Sequence, residues 1–283
     1  MEEVYCMRYD YNPCDICLDE KCGGTKSCNC KTCPHLKSCR KYLHPTIRIT
    51  TRCTQSCSHC CFSCSPDKTR MMNIELAKEI TKFLKTNQIF SLNVMGGEFY
   101  CNPNWYEILY EWLQIHCHIR LVSNGDWVTN TTVKNQLLNL SHTFQNQLHI
   151  SISDDNYHTN QHVKDADAFL TLHNISHELG TDMQDTEETL MPLGNAEDVY
   201  NMYSFGVCYC HNPIHQYSFL IDETGDIYKC SFGVLQYDNI QNFTYGGFAK
   251  RFKEFNKKFY DIFMPSCKNC IRICEMEHAI APN

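Results

Sequence analysis

The stretch that decides the fold is Thr46-Ile-Arg-Ile-Thr-Thr-Arg-Cys53-Thr-Gln-Ser-Cys57-Ser-His-Cys60-Cys-Phe-Ser-Cys64. Its first part, Ile47–Thr51, is rich in β-branched residues and predicts a strand. The strand leads into a loop that carries Cys53, Cys57 and Cys60. Three thiolates so close in sequence can hold three corners of one iron–sulfur cube and leave the fourth iron open. The triplet therefore predicts a reactive metal centre.

Zinc is the other metal that fits this spacing. A structural zinc site needs four ligands that close it, and Cys61 or Cys64 could supply the fourth. A second motif, Gly96-Gly97-Glu98, follows the next predicted strand, and a zinc scaffold has no need of it. The two motifs together favour the iron–sulfur cluster over zinc.

The combination resembles the radical S-adenosylmethionine (radical SAM) superfamily. In that family a CxxxCxxC triplet follows a strand, an aromatic or histidine residue such as His59 commonly precedes its last cysteine, and Gly-Gly-Glu lies one helix and one strand downstream. The resemblance implies a 4Fe–4S cluster whose open iron is chelated by the amino and carboxylate groups of SAM. One electron then cleaves SAM to methionine and a 5′-deoxyadenosyl radical, which removes a hydrogen atom from the substrate. The protein positions these groups and excludes water, while the cofactor performs the difficult step.

Length and composition exclude several classes of protein. A chain of 283 residues can bury the core of one barrel-sized domain with appendages. It is 43% apolar but has no run near the roughly 18 apolar residues of a membrane span, and its start lacks the features of a secretory signal. The formal charge of −7 argues against nucleic acid as the main partner. We therefore expect a soluble, cytoplasmic protein that binds neither membrane nor nucleic acid.

The 21 cysteines are concentrated towards the two ends of the chain. Eight lie in Cys6–Cys39, five in Cys53–Cys64 and six in Cys208–Cys274, with only Cys101 and Cys117 between the last two groups. Thiols stay reduced in the cytosol, so these groups indicate metal ligands rather than disulfides.

Residues 1–45 form a predicted cysteine-rich metal-binding segment. A segment this short and polar cannot build its own apolar core, so we expect metal to order it. Its thiols suffice for two four-ligand sites, with either zinc or 4Fe–4S. Such a segment would serve as an electron relay, a substrate-docking module or a metal-stapled cap. The candidate ligands are Cys14, Cys17, Cys22, Cys28, Cys30, Cys33 and Cys39.

Residues 46–205 alternate between predicted strands and helices, the pattern of an α/β fold with a parallel sheet. Strands are predicted at Ile47–Thr51, Ser91–Met95, Ile119–Ser123, Leu148–Ser153 and Thr189–Leu193. Helices are predicted from an Asn73 cap to about Lys85, after Asn102-Pro103, from about Thr132, and over Asp165–Leu179. The motifs fall where strands end, which is the edge at which parallel barrels build their sites. The resemblance implies an incomplete, TIM-like (β/α)6 barrel.

The resemblance also implies which residues bind SAM. Gly96 and Gly97 would let the backbone approach the methionyl end without a Cβ in the way, and Glu98 would accept a hydrogen bond from the ammonium group. Ser123 and Asn124 would meet the carboxylate or the ribose, although Asn-Gly is also an ordinary turn dipeptide.

The fourth predicted strand ends in a motif similar to the Ser-x-Asp of related maturases, which contacts the adenosyl group. Its residues are Ser153 and Asp155, which could otherwise cap a helix, and His158 follows with no readable role. Met191–Ala196 resembles a Pro-x-Gly-Arg-Ala motif of such enzymes, with Asn195 in place of the usual arginine. The sequence identifies no catalytic acid or base.

Residues 206–283 resemble the SPASM and twitch extensions that hold auxiliary 4Fe–4S clusters. The segment contains a hairpin that turns at Gly225 and an amphipathic helix with Phe248, Phe252, Phe255 and Phe259. A zinc-stapled tail is the alternative. The predicted ligands of one cluster are Cys210, Cys230, Cys267 and Cys270, with Cys208 and Cys274 as spares.

Three functions remain open from the sequence. The chain could be a maturase that modifies a ribosomally made peptide or a protein side chain, which the thiol-rich head and SPASM-like tail favour. It could be a small-molecule dehydrogenase that passes an electron to an auxiliary cluster, or a zinc-binding interaction protein without enzymatic activity. Either enzyme would need an electron donor such as flavodoxin or ferredoxin.

Overall fold

The computed structural model describes residues 43–159, 161–180, 195, 218–229, 236–243, 245–248, 250–252 and 254–255. Residues 1–42 of the predicted segment 1–45, the predicted Thr189–Leu193 strand and all cysteines from Cys208 onward lie outside these residues. Within them, no helix is long and apolar enough to cross a membrane.

Eight strands form one sheet in the order β5-β4-β3-β2-β1-β6-β7-β8. The strands β1 to β5 and β6 run parallel, whereas β7 and β8 are antiparallel additions at one edge. Since β6 pairs with β1, the C-terminal hairpin continues the same sheet. The strands are β1 His44–Arg48, β2 Ser91–Met95, β3 His118–Ser123, β4 Leu148–Ser153, β5 His177–Gly180, β6 Ser218–Ile221, β7 Asp226–Tyr228 and β8 Gln236–Asn239.

In the part of the chain that the structure describes, four α-helices connect the consecutive parallel strands β1 to β5. Right-handed crossovers between neighbouring parallel strands place such helices on one face of a sheet. Leu92 and Val94 of β2 and Leu121 of β3 are fully buried and belong to one apolar core with the helices. The helices are α1 Ile74–Thr86, α2 Trp105–Leu113, α3 Thr131–Thr143 and α4 Val163–Leu172, and short 3-10 turns lie at Phe99–Cys101, Asp126–Thr129 and Ile240–Phe243.

The prediction for α1 is confirmed. The Asn73 side chain accepts a 2.8 Å hydrogen bond from the Leu76 N–H, as an N-cap does. Ala77, Ile80 and Phe83 are fully buried on the face that the apolar spacing predicts.

Asn102 does not open the second helix as predicted. A 3-10 turn follows Glu98, and α2 begins only at Trp105. The Asn102 side chain is fully buried and donates to the carbonyls of Ile49 and Met72, at 2.8 and 2.9 Å. It therefore joins the chain after β1 to the segment before α1. The Asn-Pro pair resembles a helix cap in sequence, but the Asn102 side chain makes tertiary hydrogen bonds instead.

Two predicted boundaries are wrong. The first strand ends at Arg48 rather than Thr51, because Thr50 pairs with Met71 and the Thr51 N–H donates to the Arg70 carbonyl. The predicted helix Asp165–Leu179 ends at Leu172 and is followed by β5. Asn174 adopts a positive φ of 53° and stops the helix, although Ile175 and Leu179 continue its apolar spacing.

The hairpin that turns at Gly225 is confirmed, and its φ of 87° suits a residue without a Cβ. The predicted phenylalanine face is present in the described part of its helix. Phe248 and Phe252 are fully buried and their rings lie 4.8 and 5.3 Å from the ring of Phe219 on β6. Phe255 contacts Tyr237, and Phe259 lies outside the described residues.

Candidate cofactor site

The three cysteines of the triplet lie on one loop that begins five residues after β1 ends. Cys53 is buried and its N–H donates to the Ser65 carbonyl, whereas Cys57 and Cys60 are half-buried. Burial is the main cause that raises the pKa of Cys53 to about 12, and the negative charges of the nearby Glu98 and Cys57 act in the same direction. Burial, then Cys60, raises that of Cys57 to about 11. These thiols hold their protons at neutral pH, so a metal that binds here must displace them.

Cys64 lies beside Cys60, and its backbone N–H donates to the Cys60 sulfur at 3.3 Å. Hydrogen bonds from Cys64, against a smaller effect of burial, lower the pKa of Cys60 to about 6. A fourth thiol is therefore near the triplet, as the zinc interpretation requires. Thiolates that share one zinc ion lie about 4 Å apart. In the described part of the chain, the group of three side chains whose ligand atoms all lie within 4.8 Å of one another is His59, Asp155 and His158, and the cysteine triplet does not form such a group.

Gly96 and Gly97 bring the end of β2 against the cysteine loop. A Cβ on Gly97 would lie 2.2 Å from the Arg52 carbonyl oxygen and 2.8 Å from the Cys53 Cβ. The Gly97 N–H donates to the Thr50 carbonyl at 2.8 Å, and the Glu98 N–H donates to that of Arg52 at 2.9 Å. Glycine is thus needed at these positions because the backbone packs closely on the loop that carries Cys53, a cause that the sequence did not reveal.

Glu98 is fully buried just past β2, and the structure brings the predicted residues Ser123 and Asn124 to it. Its carboxylate accepts hydrogen bonds from the Ser123 hydroxyl at 2.8 Å and from the Asn124 backbone N–H at 2.9 Å. Burial, opposed by these hydrogen bonds, raises the pKa of Glu98 to about 8. A cationic group placed beside it would drive its ionisation, because an opposite charge favours the charged form.

The Asn124 side chain points back to the cysteine loop. Its amide donates to the Thr54 hydroxyl at 2.9 Å and lies 3.9 Å from the Cys53 sulfur. Three strand ends, those of β1, β2 and β3, are therefore joined by direct contacts around Cys53.

Asp155, after β4, meets His59 from the cysteine loop. Its carboxylate accepts from the His158 backbone N–H and contacts the His158 Nδ1 at 2.8 Å. The His59 Nε2 lies 4.0 Å from it, and the His59 ring packs on Tyr157 at 4.9 Å. Burial acts to raise the pKa of Asp155, but the hydrogen bonds and charge of His158 lower it to about 2. The hydrogen bonds to the next backbone N–H groups are those of a cap, although α4 begins only at Val163.

Ser153 is the last residue of β4, opposite Gly180 of β5. Asn195, predicted to replace an arginine, contacts the cysteine loop twice. Its backbone N–H donates to the Cys60 carbonyl and its side-chain amide to the Cys57 carbonyl, both at 3.0 Å.

Two groups near the site were missed by sequence reasoning. Asp126 follows Ser-Asn-Gly and accepts hydrogen bonds from Thr54 and Gln55; its polar position directly after a strand end was the only signal. Arg48, buried at the end of β1, pairs with Glu223 at 2.7 Å, and its guanidinium lies 4.9 Å from the ring centre of Phe62. A buried arginine inside a β-branched run gives no local clue to a partner 175 residues away.

Comparisons with known proteins agree with this geometry. The sequence model of the "Radical SAM superfamily" matches residues 47–204. The chain is 34% identical over 120 residues to "Putative peptide biosynthesis protein YydG" of Bacillus subtilis (strain 168), a match that covers 40% of this chain and 36% of that protein. It is 28% identical over 120 residues to "Antilisterial bacteriocin subtilosin biosynthesis protein AlbA" of the same strain, over 42% of this chain and 26% of that protein. The matched part thus spans about a third or less of these relatives.

Two solved structures share the fold. "BtrN in complex with AdoMet and 2-DOIA" matches with a TM-score of 0.54 and 12% identity, over 77% of this chain and 87% of that one. "Native anSMEcpe with bound AdoMet" matches with a TM-score of 0.50 and 14% identity, over 76% and 84%. They confirm the predicted α/β fold with a partial barrel-like sheet. Since the superfamily model also covers more than half of the chain, this protein belongs to the radical SAM superfamily.

Proposed function

We propose that this protein is a radical SAM enzyme that acts on a ribosomally made peptide or a protein side chain. Cys53, Cys57 and Cys60 would hold a 4Fe–4S cluster. The bound cluster and SAM would supply one-electron cleavage of SAM and a 5′-deoxyadenosyl radical that takes a hydrogen atom from the substrate. The observation that carries the proposal is the contact of Gly97 with the Arg52–Cys53 segment, because it joins the cysteine loop to the Gly-Gly-Glu motif.

The chain's own residues would bind and orient SAM at this rim. Glu98, held by Ser123 and the Asn124 N–H, would accept a hydrogen bond from the SAM ammonium group and lose its proton there. Gly96 and Gly97 would line the methionyl end with backbone, and a Cβ on Gly96 would itself lie 2.8 Å from the Thr50 Cγ2. Ser153 and Asp155 would meet the adenosyl group.

The peptide substrate is supported by the two relatives, whose names describe peptide biosynthesis and bacteriocin biosynthesis. A small-molecule dehydrogenase is the second candidate. We further propose one auxiliary 4Fe–4S cluster at Cys210, Cys230, Cys267 and Cys270, metal in the segment 1–45, and a flavodoxin or ferredoxin as electron donor. The zinc-binding interaction protein is disfavoured, because it would have no use for a buried Glu98 beside two close-packed glycines.

Anaerobic reconstitution followed by SAM and dithionite tests the enzymatic proposal. The wild-type protein should release 5′-deoxyadenosine, and Cys57→Ala should release none. Equal activity of the two proteins would remove this triplet from the chemistry. Iron and sulfide counts test the outer sites, since zinc with little sulfide would defeat a cluster there. Candidate peptides and small alcohols or amines, offered separately, distinguish the two substrate classes by which one acquires a mass change.

A further inference from the structure

Asp126 forms hydrogen bonds with two residues between the first two cysteines of the triplet. It follows Gly125 at the start of a 3-10 turn after β3. One of its carboxylate oxygens, Oδ2, accepts from the Thr54 hydroxyl at 2.6 Å and from the Gln55 side-chain amide at 3.1 Å. Hydrogen bonds to a charged acceptor are about twice as strong as neutral ones, so this carboxylate is a firm attachment for the loop.

Gln55 connects Asp126 to Cys57 by hydrogen bonds. Its side chain is buried, and its Oε1 accepts from the Thr159 backbone N–H at 3.2 Å and from the Cys57 thiol at 3.5 Å. An amide has one donor end and one acceptor end. Asp126 needs the donor and Thr159 needs the acceptor, so the orientation of the Gln55 amide beside Cys57 is fixed.

The support behind Asp126 is rigid. Its backbone N–H donates to the Asn124 Oδ1 at 3.0 Å, and the Asn124 amide donates to the Thr54 hydroxyl at 2.9 Å. Asp126, Asn124 and Thr54 thus form a closed ring of hydrogen bonds. The next residue, Trp127, is fully buried in the core and anchors the turn.

We propose that Asp126 is a positioning residue for the cluster, whose carboxylate clamps Thr54 and Gln55 to the end of β3 and so sets the loop between Cys53 and Cys57 before metal binds. The inference rests on the proposed role of the triplet. It has a second consequence, because a fixed negative charge beside a redox centre opposes the addition of an electron. Asp126 would therefore keep the reduction potential of the cluster low.

Two substitutions separate the clamp from the charge. Asp126→Asn keeps an oxygen that can accept from both donors but removes the charge, whereas Asp126→Ala removes both. Asp165→Asn is the matched control, since that carboxylate is 76% exposed. In the full-length apo protein under anaerobic conditions, we expect Cys57 of Asp126→Ala to be alkylated several-fold faster than in the wild type, as measured by peptide mass spectrometry. Asp126→Asn also removes a charge that raises the pKa of Cys57, so its rate should lie between those of the wild type and Asp126→Ala, while the control should stay near the wild-type rate.

After reconstitution, iron and sulfide per chain should fall in Asp126→Ala by up to the content of one 4Fe–4S cluster, since an auxiliary cluster would stay loaded, but should not fall in Asp126→Asn. The midpoint potential of the cluster whose electron paramagnetic resonance signal changes when SAM is added should rise in Asp126→Asn. Alkylation of Asp126→Ala that is no faster than that of Asp126→Asn, or an unchanged potential in Asp126→Asn, would overturn the inference. If Asp126→Ala does not fold, the potential of Asp126→Asn decides alone. A wild-type protein that binds no cluster would instead defeat the proposed function, while the alkylation rates would still decide the clamp.

Discussion

The carboxylate of Glu98, just past β2, accepts a 2.8 Å hydrogen bond from the hydroxyl of Ser123, at the end of β3. This contact joins two of the motifs that the sequence predicts as SAM ligands. It occurs in a fully buried position, where an unmet polar group costs about 1–3 kcal/mol. Ser123 and the Asn124 N–H therefore hold the Glu98 carboxylate in place for a cationic partner, and their hydrogen bonds oppose the rise of its pKa on burial.

The pH dependence of stability should reveal this burial. The folded-state pKa of Glu98, about 8, lies above the unfolded value of about 4.3. The folded protein therefore holds a proton that the unfolded chain releases, and Glu98 lowers stability progressively as pH rises from about 4.3 to about 8. We expect the free energy of unfolding of the apo protein to fall over this range more steeply than in Glu98→Gln. Urea unfolding at each pH measures this free energy, and the same pH dependence in the two proteins would contradict this account.

Asp155 should show the opposite sign. The pKa of Asp155 is lowered to about 2, so its contact with His158 stabilises the fold above the unfolded pKa of about 3.9. This contribution should disappear as pH falls through about 2. We expect His158→Leu to be less stable than the wild type at pH 5, with a difference that shrinks towards pH 2. Chemical denaturation at several pH values measures it, and a difference independent of pH would contradict it.

Gly97 should not tolerate even one methyl group. A Cβ there would lie 2.2 Å from the Arg52 carbonyl oxygen, so Gly97→Ala must displace backbone. Overpacking of this kind costs about 1–3 kcal/mol. We expect a lower unfolding temperature and poor iron loading.

Gly180→Ala is the control for Gly97→Ala, because its Cβ would meet no atom closer than 3.4 Å. Comparable loading and unfolding temperature in the two variants would mean that contact between β2 and the cysteine loop is unimportant.

The buried Arg48 should be far more sensitive to substitution than the exposed Arg251. Arg48→Met would leave the buried carboxylate of Asp222 without this partner and that of Glu223 with only the 64%-exposed Arg70 among the ion pairs described, a loss of up to about 3–5 kcal/mol. Arg251→Met, at a pair whose arginine is 57% exposed, should cost less than about 1 kcal/mol. Urea denaturation compares them, and similar losses would show that burial of the Arg48 pair is energetically unimportant.

The sequence predicted the fold well where pattern and structure share a cause. The bounds of β2 and β4 agree with the prediction because alternating or continuous apolar residues end at polar motifs there. The bounds of β1 and α4 disagree because Thr50 pairs with a distant segment and Asn174 reverses the backbone. The pairing of Thr50 is a tertiary effect that leaves no trace in local periodicity, whereas Asn174 is a local stop signal that apolar spacing alone does not reveal.

The same distinction holds for the site. The sequence predicted that Glu98, Ser123 and Asn124 belong together, since the ends of parallel strands share an edge. It did not predict Asp126, whose partner Thr54 lies 72 residues away. It also explained Gly97 by SAM binding, because the close approach of the Arg52 carbonyl to Gly97 is visible only in the folded structure.

The most direct test of the central claim is the electron paramagnetic resonance spectrum of the dithionite-reduced, anaerobically reconstituted protein with and without SAM. An open iron at the Cys53, Cys57 and Cys60 site predicts a reduced-cluster signal that changes when SAM is added and is missing from Cys57→Ala. A wild-type signal that SAM leaves unchanged, or one that persists with the same SAM response in Cys57→Ala, would contradict the account.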